Sequence, residues 1–270
     1  AIGGLAPRLF LNDPRQQRQD GTAFGFDAKI LARIKAKYVD TTQYYSQYYN
    51  NPNSSDNAPI DASKFQYYER NLLKQEEGSW YIRGRKLNIY AAIDFAFSLS
   101  KKADHTALVV VGVDSGGNYY VLDIDRFKTD RIVEYFNHIV KAQQKWGFRK
   151  IRAEVTVAQR SIVNELKESY IKPNGIALSI DEYNPSRHDG AKEERIAAIL
   201  EPKYDNLQVW HYRGGNCQSL EEELIMRRPP HDDIKDALAN AINIAVIPKQ
   251  WSSNSMVSNI KSHPRFGGIL

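Results

Sequence analysis

Residues 88–97 read Asn-Ile-Tyr-Ala-Ala-Ile-Asp-Phe-Ala-Phe, residues 106–114 Thr-Ala-Leu-Val-Val-Val-Gly-Val-Asp, and residues 118–127 Asn-Tyr-Tyr-Val-Leu-Asp-Ile-Asp-Arg-Phe. Runs so rich in β-branched and aromatic side chains predict three strands. Ser115-Gly116-Gly117-Asn118 between the second and third is a hairpin signal, so those two strands are antiparallel neighbours. Downstream the period changes. Ile132, Val133, Phe136, Ile139 and Val140 form one stripe of a helix over Asp130–Trp146, with Asp130 as its expected cap. Lys150–Val155 is then a strand, Ala158–Ile171 a helix and Gly175–Asp181 a strand. Ala191–Leu200 follows as a helix, Leu207–Tyr212 as a strand, and Ser219–Arg227 and His231–Ile247 as helices. A meander feeding βαβ units predicts an α/β fold, a mixed sheet flanked by helices.

The sequence before residue 88 has a different texture. Residues 1–28 show no sustained period, Ala28–Val39 and Ser63–Leu73 read as short helices, and a tyrosine-rich stretch lies between them. Three segments are therefore expected: 1–87 as a linker-like and helical region, 88–248 as the main domain, and 249–270 as a basic flexible tail. The net charge of +5 is unevenly spread: both flanks are basic and the middle is slightly acidic. Basic arms around an acidic core suit a protein that holds a polyanion and works on it with clustered carboxylates. No apolar run approaches the ~20 residues that cross a bilayer, and no secretory leader pattern is present. The single cysteine, Cys217, excludes a disulfide framework and a cysteine-based zinc site, and fits a reducing compartment. The chain carries no GxxxxGK[ST] phosphate loop, hence no ATPase motif of that kind, and no GxSxG elbow.

Carboxylates fall at three places that strand-end and helix-start chemistry does not fully explain. Asp94 interrupts the first strand on the face it shares with Ala92 and Ala96, where small neighbours leave room for a substrate backbone. Glu154 lies on the polar face of the fourth strand near its C-terminal end, the edge where open α/β sheets bind ligands. Pro229-Pro230 starts a new helix, and His231-Asp232-Asp233-Ile234-Lys235-Asp236 puts more acid there than capping needs. Asp233, Asp236, Ala237 and Asn240 share one stripe of it. Two strands and a late helix can bring acidic oxygens to one point, and oxygen ligands select Mg²⁺ or Mn²⁺, two such ions being the arrangement suited to phosphodiester hydrolysis. The other acids have plainer roles: Asp123 and Asp125 on a solvent face, Asp114 in a turn, Glu221 to Glu223 on a charged helix face, Asp104 in a loop. His188-Asp189 reads as surface.

Taken together, Ala92-Ile93-Asp94-Phe95-Ala96, Ala153-Glu154-Val155-Thr156-Val157-Ala158-Gln159 and His231-Asp232-Asp233-Ile234-Lys235-Asp236-Ala237-Leu238 resemble the three acidic motifs of the nuclease domain of tailed-phage terminase large subunits. Tyr45-Ser46-Gln47-Tyr48-Tyr49-Asn50-Asn51-Pro52 is similar to the segment those proteins carry between ATPase and nuclease domains, and Asp104–Leu108 and Lys192–Ile196 fall in matching places. The resemblance spans about residues 40–247. It implies a ribonuclease-H-like fold and an endonuclease that cuts concatemeric viral DNA with Mg²⁺ or Mn²⁺. Asp94 and Glu154 match the first two metal ligands; for the third, Asp233 is expected ahead of Asp232 and Asp236. Lys192 and Arg195 would meet DNA phosphates. Implied partners are double-stranded DNA, a portal protein, a terminase small subunit and an ATPase domain expected upstream of residue 1; the setting would be the host cytoplasm. A junction resolvase or integrase of the same superfamily, and a non-catalytic DNA-binding assembly module, are the alternatives.

Overall fold

The computed structural model describes residues 28–37, 47, 59–96, 105–155, 159–185, 191–226 and 229–249. The bulk of the tyrosine-rich stretch at 44–52, Asp104, Thr156–Ala158, His188-Asp189 and nearly all of the basic tail lie outside them. The chain runs α1 (Ala28–Lys35), β1 (Gln66–Tyr67), β2 (Leu73–Glu76), β3 (Ser79–Ile82) and β4 (Arg85–Lys86), then β5 (Asn88–Asp94), β6 (Thr106–Val113) and β7 (Tyr119–Phe127). It continues through α2 (Ile132–Trp146), β8 (Lys150–Glu154), α3 (Arg160–Glu165, prolonged by a π-helical turn to Ile171) and β9 (Ser179–Tyr183). It closes with α4 (Lys192–Asp205), β10 (Val209–His211), α5 (Asn216–Ile225) and α6 (Asp233–Ile244).

Seven strands form one mixed sheet in the order β1-β10-β7-β6-β5-β8-β9. The predicted meander β5-β6-β7 is antiparallel, while β8 and β9 are added parallel to β5. That order, with helices on both faces, is the ribonuclease-H-like arrangement expected from the sequence. Every residue of β6 is buried, which explains why it reads as a continuous apolar run rather than an alternating one. The β6–β7 turn is held by buried Asp114, whose Oδ1 accepts hydrogen bonds from the backbone N–H groups of Gly116 (2.8 Å) and Asn118 (2.9 Å). Gly117 takes the positive φ of +78° that the turn needs.

One face of the sheet is covered by α2. There Asp123 and Asp125 are not simply solvated: Asp123 accepts from Lys145 Nζ (2.7 Å) and Trp146 Nε1 (2.8 Å), and Asp125 pairs with His138. The expected Asp130 cap of α2 does not form: the N-cap position is Arg131, without a side-chain cap, and Thr129 Oγ1 accepts from Arg131 N at 3.0 Å in the turn before it. The opposite face is covered by α6, which buries Ile234, Ala237, Leu238 and Ala241 across β5 and β6. Ala92, expected to leave room for a substrate, is fully buried, so its small side chain serves helix–sheet packing.

The boundary expected at residue 88 is not where packing begins. Ile60, Phe65, Tyr68 and Ile82 belong to the same core as the main sheet, and β1 pairs with β10 inside it. Ser63–Leu73 is not a helix but two single 3-10 turns around β1. Beyond it β2, β3 and β4 make a separate three-stranded antiparallel sheet that the sequence reading did not anticipate. Its two tight turns put Glu77 and Gly78 (φ 48° and 73°) and Arg83 and Gly84 (φ 49° and 75°) in the left-handed region.

Candidate metal centre

Asp94 ends β5 and Glu154 ends β8, and the two are direct partners in the parallel ladder. Neighbouring strands lie about 4.8 Å apart and in-register side chains share a face, so the ladder alone brings both carboxylates together. α6 crosses that face. Asp233, Asp236 and Asn240 lie three and four residues apart, hence on one stripe of the helix turned towards the sheet, and all three are buried. Asn240 Nδ2 donates to Glu154 Oε2 (3.2 Å), and Arg195 Nη2 donates to Glu154 Oε1 (3.4 Å), so both oxygens of Glu154 are held. Arg195 is itself steadied by a bond to the Tyr183 hydroxyl at 3.0 Å.

The start of α6 is fixed by Glu223, expected on a charged helix face and found buried instead. Its Oε2 accepts from the backbone N–H groups of Ile234 (3.1 Å) and Lys235 (2.9 Å), two donors that a helix start leaves unpaired. Burial pushes the Glu223 carboxyl up to about 7. Asp233 Oδ2 accepts from His105 N and from Arg126 Nη2, both at 3.2 Å. Burial, then Arg126 and Lys128, hold the His105 imidazole below its usual range.

The charge balance of the centre is negative. Asp94 is pushed up to about 8, first by burial and then by Asp236, Glu154 and Asp233, with Lys192 opposing. No described hydrogen-bond donor reaches its carboxylate. Asp236 is raised to about 7 by burial, again against Lys192, with which it is ion-paired. Its Oδ1 is buried with no hydrogen-bond partner among the described residues. Lys192 loses from burial but gains more from Asp236, Asp94 and Asp232, and its pKa is raised. Carboxyls that must take up protons to lose their mutual repulsion, one with an orphaned oxygen, fit a hard divalent cation, and the donor set is oxygen throughout.

Of the carboxylates expected from the sequence, Asp94 and Glu154 are ladder neighbours, and Asp233 and Asp236 lie near enough to act on Asp94 electrostatically, although no three of the four place ligand atoms within 4.8 Å of one another. Asp236 ranks ahead of Asp233 among the charges acting on Asp94, whereas Asp233 is engaged by Arg126 and His105. Asp232 precedes the helix, 41% exposed and 3.9 Å from Lys192, at the rim. Lys192 and Arg195, expected to face DNA, face the carboxylates. Asn240, although on the right stripe, Arg126 and His105 had no expected part in the site, Glu223 was expected on a charged helix face, and His231 only as a member of the acidic cluster.

No family model and no curated protein matches the sequence. Among solved structures, the chain is similar to the large terminase nuclease from thermophilic phage G20c, with a TM-score of 0.45 and 13% identity over 71% of this chain and 98% of that one. It is similar to the nuclease domain of the large terminase subunit gp2 of bacterial virus Sf6, with a TM-score of 0.42 and 11% identity over 59% of this chain and 89% of that one. RuvC of T. thermophilus in complex with Holliday junction substrate gives a TM-score of 0.35 and 14% identity over 57% of this chain and 90% of that one. The ribonuclease-H-like reading of the sheet rests on its own strand order, β7-β6-β5-β8-β9, and not on these likenesses.

Proposed function

We propose that this protein is a divalent-metal-dependent DNA endonuclease and that it cuts concatemeric viral DNA during genome packaging. The observation that carries the nuclease reading is the ladder pairing of Asp94 with Glu154 beneath the acidic start of α6, where burial first, and then Asp236, Glu154 and Asp233 against Lys192, raise Asp94 to about 8. The packaging reading is supported by the three acidic segments in order, together with the Tyr45–Pro52 and Lys192–Ile196 segments. In that role the chain acts on double-stranded DNA in concert with an ATPase domain, a portal protein and a terminase small subunit, in the host cytoplasm.

Asp94, Glu154 and Asp236, with Asp233 beside them, would hold Mg²⁺ or Mn²⁺. Such ions supply an activated water and stabilisation of the leaving oxygen in phosphodiester hydrolysis. Asn240 and Arg195 fix the orientation of Glu154, so this carboxylate presents the same oxygens at every turnover. Arg195, 16% exposed, is a positioning residue. Lys192 is 41% exposed, and its flexible stem lets the ammonium exchange Asp236 for a DNA phosphate. Contacts of that kind hold DNA without reading bases, so sequence preference is low.

The test is nicking and linearisation of supercoiled plasmid with Mg²⁺ or Mn²⁺, against EDTA and against folded Asp94→Asn protein. Metal-dependent cutting that disappears in the variant is expected. Cutting confined to four-way junctions would replace the packaging reading with a resolvase. Intact, folded protein that cuts neither substrate in either metal would leave a non-catalytic DNA-binding module.

A further inference from the structure

Beside the all-oxygen centre stands a group of different chemistry. His105 precedes β6, His231 precedes α6, and Asp233 opens α6. One ligand atom from each lies within 4.8 Å of the other two. His105 Nδ1 is buried without a hydrogen-bond partner among the described residues and lies 4.0 Å from Asp233 Oδ2. The two imidazole rings stand nearly perpendicular, with centroids 5.4 Å apart. Arg126 and the His105 backbone N–H both bond to Oδ2 of Asp233, so neither of them claims its other oxygen.

We propose that His105, His231 and Asp233 form a second cation site, of the mixed nitrogen and oxygen kind that Zn²⁺ prefers, adjoining the carboxylate centre and sharing Asp233 with it. Zinc ligands at about 2.0–2.1 Å from the metal stand about 3.3 Å apart, so these three would close in by up to about 1.5 Å on binding. Two histidines and one carboxylate select a borderline-soft ion over Mg²⁺, which keeps to oxygen. Among the described residues one other such group exists, His211, Cys217 and Glu221, and it is closed. Both ring nitrogens of His211 are already paired, to the Tyr204 hydroxyl (2.8 Å) and to Glu221 Oε1 (3.0 Å). Burial also pushes the Cys217 thiol up to about 12, away from the thiolate that binds metal. Zinc at the first group fastens the residue before β6 to the start of α6, and draws on Asp233 without touching Asp94 or Glu154.

The site does not depend on the nuclease reading, and one variant separates the two. Zinc is titrated into metal-free protein against a chromophoric chelator, with Mg²⁺ in excess. Wild-type and Asp94→Asn protein should each bind one zinc per chain with the same affinity. His105→Gln and His231→Gln, checked for folding by circular dichroism, should each weaken that binding at least tenfold. Unchanged zinc affinity in both histidine variants overturns the proposal, as does absence of zinc binding in the wild type. Loss of zinc in Asp94→Asn also overturns it, because the ion would then sit among the carboxylates.

Discussion

Replacing Asp94 by asparagine should make the metal-free protein more stable, and by an amount that grows with pH. The Asp94 carboxyl moves from 3.8 to about 8 in the fold. Between those values the folded chain keeps a proton that the unfolded chain has released, so stability falls as pH rises through that window. Each unit is worth about 1.4 kcal/mol; at pH 7 about three units of the window have been crossed, giving about 4 kcal/mol. Asp94 is only partly enclosed, and water reaching it lowers the cost to about 2 kcal/mol. Asparagine has the same shape and no charge to desolvate. Urea unfolding in EDTA should therefore show the variant more stable by about 2 kcal/mol at pH 7 and by less than about 1 kcal/mol at pH 5. With Mg²⁺ or Mn²⁺ in excess the order should reverse, since only the wild type gains binding free energy. A variant no more stable than wild type at pH 7, or a difference that ignores pH, would refute the electrostatic account of the centre.

The remaining expectations concern the groups around Asp94. Mn²⁺ binding near pH 6.5 should release protons from Asp94 and Asp236, seen as a binding enthalpy that tracks the ionisation enthalpy of the buffer; no buffer dependence would contradict it. Glu223→Ala removes the acceptor of two backbone donors at the start of α6, and should cost about 1–2 kcal/mol in denaturant unfolding while weakening Mn²⁺ affinity. Asn240→Asp exchanges a donor to Glu154 for a like charge 3.2 Å away. It should lower metal-free stability at pH 8 more than at pH 5, and a pH-independent effect would point to packing instead.

How much of this was legible in the sequence depended on how far each signal reached along the chain. β5, β6 and β7 announce themselves because apolar content, turn chemistry and strand length agree over forty residues. Asp94 stood out as an acid interrupting an apolar strand, and Glu154 as one near the C-terminal end of another. Among Asp232, Asp233 and Asp236, helical period puts Asp233 and Asp236 on the inward stripe with Asn240, while Asp232 precedes the helix. The β2-β3-β4 sheet stayed hidden because its strands are two to four residues long. Its turns also use Glu77-Gly78 and Arg83-Gly84, where Glu and Arg accept a positive φ that composition rules reserve for Asn, Asp or Gly. Glu223 looked like one of three solvated acids; its inward position follows from spacing to Leu220 and Leu224, which are both buried. The histidines were unreadable for another reason. Their meeting joins residues 126 positions apart, and nothing local encodes it.

The way α6 is built into the sheet also bears on when the protein becomes competent during synthesis. The same twelve residues that close the apolar face of β5 and β6 deliver Asp233 and Asp236. A nascent chain that has emerged only as far as β10 holds two of the four carboxylates and an uncovered hydrophobic surface. Folding and arming are thus one event. A truncated or heat-frayed copy loses the acidic site at the moment it loses its shape, which under the nuclease proposal would be a safeguard for the cell that houses it.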